Sequence, residues 1–308
     1  MVIAIIDLGT NTFNLLIVEV YNDKSHKRLF KSKTSVKLGE GGINRNFIAP
    51  LAFERGINAL KEHKYNIEKF KVEKIIAFAT SAIRSASNGN DFIERVKSEV
   101  GIEIKTLSGE QEAEFIYYGV RQALDMGDET SLIMDIGGGS NEFIIANKSE
   151  IFWKHSLDLG AARLLEKFAP SDPIKFDEIK RIEDYLQVTL ISLFYAIEKY
   201  PVKELIGSSG SFETFAEMIA HKYYTPQVVK DKTEYVFNLE DFKIIYQQIL
   251  TSTTQERLNT KGLVEMRVDM IVISSIFVNF ILTRFGIKKM RLSTFALKEG
   301  ILWRLLNK

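Results

Sequence analysis

The sequence predicts a mixed α/β protein made of two related lobes, and three observations carry that expectation. The first is IAIIDLGTNTFNLLIVEV, Ile3 to Val20, where two strand-like apolar runs flank a carboxylate, Asp7, and a turn of small residues, Gly9, Thr10 and Asn11. The second is SLIMDIGGGSNEFIIAN, Ser131 to Asn147. It repeats the pattern with Asp135, 128 positions after Asp7, and with Gly137, Gly138, Gly139 and Ser140 in the turn. The third is the alternation of strand-type and helix-type segments through both halves, which favours mixed sheets.

The elements follow in order. Each repeated unit reads as two short strands joined by turn formers. IIAFATSAIRSASNG, Ile75 to Gly89, reads as a buried strand, a turn and a helix start. GEQEAEFIYYGVRQAL, from Gly109, reads as a helix, with Phe115, Tyr118 and Gln122 at near-helical spacing. Phe176 to Tyr200 predicts one long amphipathic helix. VKELIGSSGSFETFAEMI repeats the order strand, glycine turn, helix around Gly207 and Gly210, with Ser209 between them. Two further helical stretches follow, and then MRLSTFALKEGILWRLL, a short strand, a turn and a final helix. The break between lobes is expected near LDMGDET, giving lobes 1–124 and 125–308, with the final helix a candidate to pack back on the first lobe.

Composition narrows the classes. A chain of 308 residues can bury a sizeable core, and with no cysteine it has neither a disulfide framework nor a thiolate zinc site. Lys+Arg 41 against Asp+Glu 40 demands no polyanionic partner. Four histidines, none paired at helical spacing, argue against a zinc hydrolase. The start of the chain is a poor signal peptide, and MIVISSIFVNFILT, 14 uncharged residues, is too short to span a bilayer. The expectation is a soluble cytoplasmic protein without a membrane partner.

A carboxylate at a buried strand end needs a donor, a cation or water. Beside glycine turns the economical partner is a hydrated metal with phosphate. Glycines let backbone N–H groups converge on an anion, and Thr10, Asn11, Thr12, Ser140 and Asn141 add side-chain hydrogen bonds. Mg²⁺ would bridge the phosphate to Asp7 or Asp135. The bland alternative, an aspartate capping its own hairpin, is as good for one copy and weaker for two matched copies plus a third glycine turn. Lys24, Lys27, Arg28, Lys31, Lys33 and Lys37 form a basic cluster that reads as a solvated ribbon or as a path for a phosphate chain. It lacks the aromatic interleaving of a single-strand nucleic-acid platform, so no specific nucleic acid is expected.

These signatures resemble those of the exopolyphosphatase/guanosine pentaphosphate phosphatase (Ppx/GppA) family, in a short form without its C-terminal HD-like domain. The marks are DLGTNTFNLLI, ATSAIRSASN, LSGEQEAEFIYYGV and DIGGGSNEF, with weaker ones in GSSGSFET, LVEMRVDMI and STFALKEGIL. The resemblance implies duplicated actin/Hsp70-like (ribonuclease H-like) lobes with the active cleft between them, and a hydrolase of terminal phosphoanhydrides using Mg²⁺ or Mn²⁺. It assigns Glu112 as catalytic base and Arg84 as a phosphate-binding catalytic arginine. Gly9, Thr10, Asn11, Gly137, Gly138, Gly139, Ser140, Ser209 and Gly210 would hold phosphate, and Asp7, Asp135 and Glu142 the metal. The sequence departs from the family at Thr10, Thr12, Asn14, Gln111, Lys298 and the loosened Gly207–Ser211 turn. The expected activity is release of terminal orthophosphate from inorganic polyphosphate. A guanosine pentaphosphate 5'-phosphohydrolase and a catalytically weak polyphosphate or alarmone sensor are the alternatives. Symmetry base rates leave a homodimer open.

Overall fold

The structure, a computed structural model, describes residues 1–307. Its eleven strands are β1 (Val2–Leu8), β2 (Thr12–Val20), β3 (His26–Ser35), β4 (Lys74–Ala79), β5 (Ile104–Thr106), β6 (Ser131–Ile136), β7 (Asn141–Ala146), β8 (Ile151–Leu157), β9 (Glu204–Ser208), β10 (Glu234–Val236) and β11 (Met290–Ser293). The first five form one sheet in the order β3-β2-β1-β4-β5. The other six form a second, β10-β11-β9-β6-β7-β8. Read from β8, the second sheet repeats the first. Two antiparallel hairpin pairs lead to the aspartate-bearing strand, and parallel strands follow. The repeat seen in the sequence is thus a repeat of topology, with β10 an added edge, and the architecture is the duplicated actin/Hsp70-like one.

Period-2 alternation along the strands builds three cores. Ala4, Ile6, Leu8, Leu15 and Ile17 point to the outer core of the first sheet. Ile3, Ile5, Leu16 and Val18 point the other way, into a core shared with Ile133, Ile144 and Ile206 of the second sheet. Between the sheets lie the helices Gly109–Ala123 and Leu297–Leu306, which add Ile116, Tyr117, Val120, Ile301 and Leu302 to that core. The helices meet backbone to backbone. A Cβ on Gly119 would fall 2.1 Å from the Ala296 carbonyl oxygen, and one on Gly300 would fall 1.7 Å from that of Phe115. The final helix also contacts β1 of the first sheet.

Two local readings change. Gln111, a departure from the family pattern, closes a capping box. Its amide N–H donates to Ser108 Oγ at 3.1 Å, and its side chain accepts from the Ser108 N–H at 3.0 Å. The single helix expected over Phe176 to Tyr200 is two, Phe176–Thr189 and Ile191–Lys199, parted at Leu190. Thr189 Oγ1 donates back to the Tyr185 carbonyl at 2.7 Å, a bond that bends helices at threonine. MIVISSIFVNFILT lies in a buried helix, Met270–Arg284. Among the described residues no helix is long and apolar enough to cross a membrane.

Candidate active site

The two signature turns are built alike and touch. The Gly9 N–H donates to the Thr12 carbonyl and the Gly137 N–H to the Ser140 carbonyl, each at 3.1 Å. Asp7 pairs with Asn14 across its hairpin, and Asp135 pairs with Glu142 at the matching place. The turns are packed so closely that a Cβ on Gly138 would fall 2.4 Å from Asn11 Nδ2. Carbonyls of Gly137, Gly138 and Gly139 accept from the amides of Ala161, Ala162 and Gly160, at the start of the helix Ala161–Phe168. With those carbonyls anchored, the N–H groups of Thr10, Asn11, Gly138, Gly139 and Ser140 meet no protein acceptor among the described residues. They are available to an anion.

A cleft of about 140 Å³ lies between the turns. Gly9, Thr10, Asn11, Gly137, Gly138, Gly139, Ser140, Ser209 and Gly210 all line it, as do Asp7, Asp135, Glu142 and Glu112. The third glycine turn opens a 15-residue helix, Ser209–Tyr223, whose first residues face the cleft with their free amides. Ser209 has a φ of 67°, a left-handed conformation costly for a non-glycine residue.

Arg84 does not line the cleft. Its Nη1 donates to Glu112 Oε2 at 2.7 Å and to the Leu107 carbonyl at 3.1 Å. Nη1 is thus committed to the carboxylate that faces the cleft, while no protein partner is found for Nη2 or Nε among the described residues.

Five carboxylates line the cleft. Asp7, Asp135, Glu142 and Glu112 have their proton affinities raised, whereas Glu213, despite its burial, is lowered by the Lys33 and Arg267 charges. Burial raises Asp7 to about 6, against Lys298 and the Asn14 hydrogen bond. Burial and the Asp135 charge raise Glu142 to about 7. Burial raises Asp135 against hydrogen bonds from Ser208 and Ser209. Burial and Glu142 raise Glu112 well above the ordinary glutamate range, with Arg84 opposing. Such a group is a stronger base than a solvated glutamate once its proton is lost.

The donor set fits a hydrated divalent ion and not a protein cage. Among the described residues, no three acidic or histidine side chains stand close enough to share an ion. Asp7 Oδ1, however, is buried without a hydrogen-bond partner. One oxygen each of Asp135 and Glu142 already accepts, from Ser208 Oγ at 2.6 Å and Ser156 Oγ at 2.7 Å. One or two carboxylates with water and substrate phosphate is the usual magnesium arrangement.

Several lining residues lie beyond the sequence expectation. Arg267, Glu213, Thr80 and Ser81 come from separate segments. Arg267 lies over the third turn, its Nη2 1.3 Å from where a Cβ on Gly210 would be. Lys298, at the start of the last helix, pairs with Glu299 at 3.1 Å. Thr80 and Ser81 follow β4 directly and could be sought at that strand end; Glu213 and Arg267 lie within the stretches GSSGSFET and LVEMRVDMI, where the resemblance assigns them no role.

Two open sheets of one repeated topology, with an anion cradle and buried carboxylates at the joint between them, define a phosphate-handling enzyme of the actin-like class. Residues 16–308 match the Ppx/GppA phosphatase family, and the chain belongs to that family. It is 39% identical to an exopolyphosphatase from Cytophaga hutchinsonii of known crystal structure, with a TM-score of 0.95 over 100% of this chain and 98% of that one. The Aquifex aeolicus Ppx/GppA family member is 28% identical, with a TM-score of 0.80 over 100% and 98%. A bifunctional 3-dehydroquinate synthase/phosphatase of Fusobacterium nucleatum is 33% identical over 92% of this chain, which spans 43% of that protein. Exopolyphosphatase 1 of Mycobacterium bovis is 25% identical over 100% of this chain and 89% of its own length.

Proposed function

We propose that this chain removes the terminal orthophosphate from inorganic polyphosphate, with lobes 1–124 and 125–308 closing on the chain end. The observation that carries the reading is the contact between the two turns, which brings their unpartnered amides to one cleft beside Glu112. The amides of Thr10, Asn11, Gly138, Gly139 and Ser140, with those opening the Ser209–Tyr223 helix, hold the terminal phosphate oxygens. Lys298 and Arg267 offset their charge. Glu112 takes a proton from water as that water attacks the terminal phosphorus. The P–O anhydride bond breaks in line, and its oxygen leaves on the shortened chain. Arg84 holds the Glu112 carboxylate in place from behind, through the 2.7 Å hydrogen bond. Asp7, Asp135 and Glu142 would hold Mg²⁺ or Mn²⁺, directly or through water. Such an ion neutralises and orients the phosphates when bound.

The test is orthophosphate release from short polyphosphate, long polyphosphate, guanosine pentaphosphate and ATP, each with Mg²⁺ and with chelator. Release from polyphosphate that chelator abolishes and Mg²⁺ restores supports the reading. Release confined to guanosine pentaphosphate would replace the substrate, and binding without release would make the chain a sensor.

A further inference from the structure

One buried cation of the second lobe takes no part in the chemistry described above. Arg163, in the helix Ala161–Phe168, is 8% exposed, yet it does not line the cleft. Its guanidinium reaches two carbonyls that belong to different lobes. Nε donates to the Gly139 carbonyl, in the second signature turn, at 3.1 Å. Nη1 donates to the Ile43 carbonyl, in the short turn Ile43–Arg45 of the first lobe, at 2.8 Å. Nη2 stands 3.6 Å from a carboxylate oxygen of the exposed Asp158 and makes no hydrogen bond among the described residues. Two more bonds join the same segments. Asn44 Nδ2 donates to the Arg163 carbonyl at 3.0 Å, and the Asn44 N–H donates to Glu166 Oε1 at 3.4 Å.

Both ends of this bridge lead to the phosphate cradle. On the first lobe, residues 36–43 are wound onto the first signature turn. The N–H groups of Val36 and Lys37 donate to the Asn11 carbonyl at 2.8 and 2.9 Å. That of Gly39 donates to the Thr10 carbonyl at 3.2 Å, and that of Ile43 to the Gly39 carbonyl at 2.9 Å. On the second lobe, the Gly139 carbonyl shares a planar peptide unit with the Ser140 N–H, and in a trans peptide the two point in opposite directions. The Thr10 carbonyl and the Asn11 N–H are related in the same way. Drawing each carbonyl back therefore turns the N–H of the same peptide towards the cleft. The Gly160 N–H also donates to the Gly139 carbonyl, at 3.2 Å, but from within the second lobe. Arg163 carries the tie across to the first. A buried cation is costly unless its geometry is well met. A guanidinium, with five donors in a fixed fork, can hold two carbonyls in one orientation, and its charge then lies behind the peptide that offers the Ser140 N–H to an anion.

We propose that Arg163 is a positioning residue for the phosphate cradle. It touches no substrate. It fixes the direction of the Ser140 amide and keeps the two signature turns in register, so that both lobes grip one phosphate. This rests on the polyphosphate reading of the cleft and adds to it a residue that acts from behind the loops.

The test uses Arg163→Lys, Asn44→Ala and, as a control for lost stability alone, Leu186→Ala. Lysine keeps the charge, but one ammonium cannot replace the fork on both carbonyls. Asn44 is exposed, so alanine removes its bond to the Arg163 carbonyl without disturbing the core. Leu186 is fully buried in the core of the second lobe, outside the cleft, and alanine leaves a cavity there. Each protein is measured for kcat/KM on long-chain polyphosphate, for tripolyphosphate affinity by calorimetry, and for melting temperature, with activities compared well below the lowest melting point. The expected result for Arg163→Lys is a loss of about tenfold in kcat/KM and severalfold in tripolyphosphate affinity. Asn44→Ala should lose about threefold in kcat/KM. Leu186→Ala should stay within about twofold on both measures, although its melting temperature falls at least as far as that of Arg163→Lys. Wild-type kcat/KM and affinity in Arg163→Lys, or equal losses in Leu186→Ala, would overturn the proposal. Should Arg163→Lys not fold, wild-type kcat/KM in Asn44→Ala would overturn it. Absence of phosphate release in wild type would refute the hydrolase reading, while the tripolyphosphate affinities of the same samples still decide the role of Arg163.

Discussion

Gly138→Ala tests whether the two turns must touch to work. The φ of Gly138 is not in the left-handed region, so alanine is tolerated by the backbone itself. Its Cβ, however, would fall 2.4 Å from Asn11 Nδ2 and 2.9 Å from Thr10 Cβ. Asn11 Nδ2 ends a side chain that can swing aside, but Thr10 Cβ is tied to its backbone, and non-bonded heavy atoms settle near ~3.5 Å, so the first turn must recede from the second by roughly 0.5–1 Å. Overpacking of this kind costs about 1–3 kcal/mol, which a chain of this size survives. The amides of both turns would then no longer converge on one phosphate. A displacement of about 1 Å between reacting groups costs on the order of a hundredfold in rate. The expectation is therefore a folded variant, its melting temperature lowered by a few degrees, with kcat/KM on polyphosphate reduced about a hundredfold. Phosphate release and differential scanning calorimetry give both numbers. A folded Gly138→Ala protein with wild-type kcat/KM would refute the reasoning, because the turns could then work apart.

Other perturbations separate individual roles. In Gly210→Ala the new methyl displaces the movable Arg267 guanidinium, so KM is expected to rise severalfold with little change in melting temperature; initial-rate kinetics and calorimetry check it. Arg84→Lys keeps the charge but loses the bonds to Glu112 and the Leu107 carbonyl, so kcat should fall while KM holds; a raised KM at constant kcat would mean that the arginine grips phosphate instead. Glu142, raised to about 7, contributes stability fully present below its unfolded pKa near ~4.5 and lost as pH rises through about 7. Glu142→Gln should accordingly resist denaturant better than wild type at pH 8, by no more than about 3 kcal/mol, and show no such gain near pH 4.

The repeated hairpins, the helix after the third glycine turn and the candidate phosphate loops were legible because their signal is local. Strand alternation is interrupted by an aspartate and small residues within one short window. The closure of the loops on a single cleft was an inference from duplication, and the touching of Gly138 and Asn11 gives it a geometry. Arg267 and Glu213 lie in stretches the sequence did single out, LVEMRVDMI and GSSGSFET, but that their side chains reach the cleft depends on how those segments pack and not on local spacing. The direction in which the Arg84 side chain leaves the short helix Ser81–Ser85, and so its bond to Glu112, is likewise not fixed by spacing. The basic cluster read either as a solvated ribbon or as a path for a phosphate chain, with no division among its members, because the bulge at Leu29, which sorts one face from the other, depends on pairing with β2. The break at Leu190 was hidden for a related reason. Helical periodicity continues across it, and the break shows only in the Leu190 backbone, with ψ at 15°, and in the Thr189 back-bond beside it.

The central claim is that a cleft-facing carboxylate activates water beside a phosphate gripped by both turns. Glu112→Gln tests it most directly, with long-chain polyphosphate binding measured by calorimetry and orthophosphate release followed in a single turnover. Glutamine keeps the shape and can still meet Arg84 through its amide oxygen, so affinity is expected to stay within about twofold while the rate falls by roughly a hundredfold or more. Release at the wild-type rate from the bound chain would contradict the account.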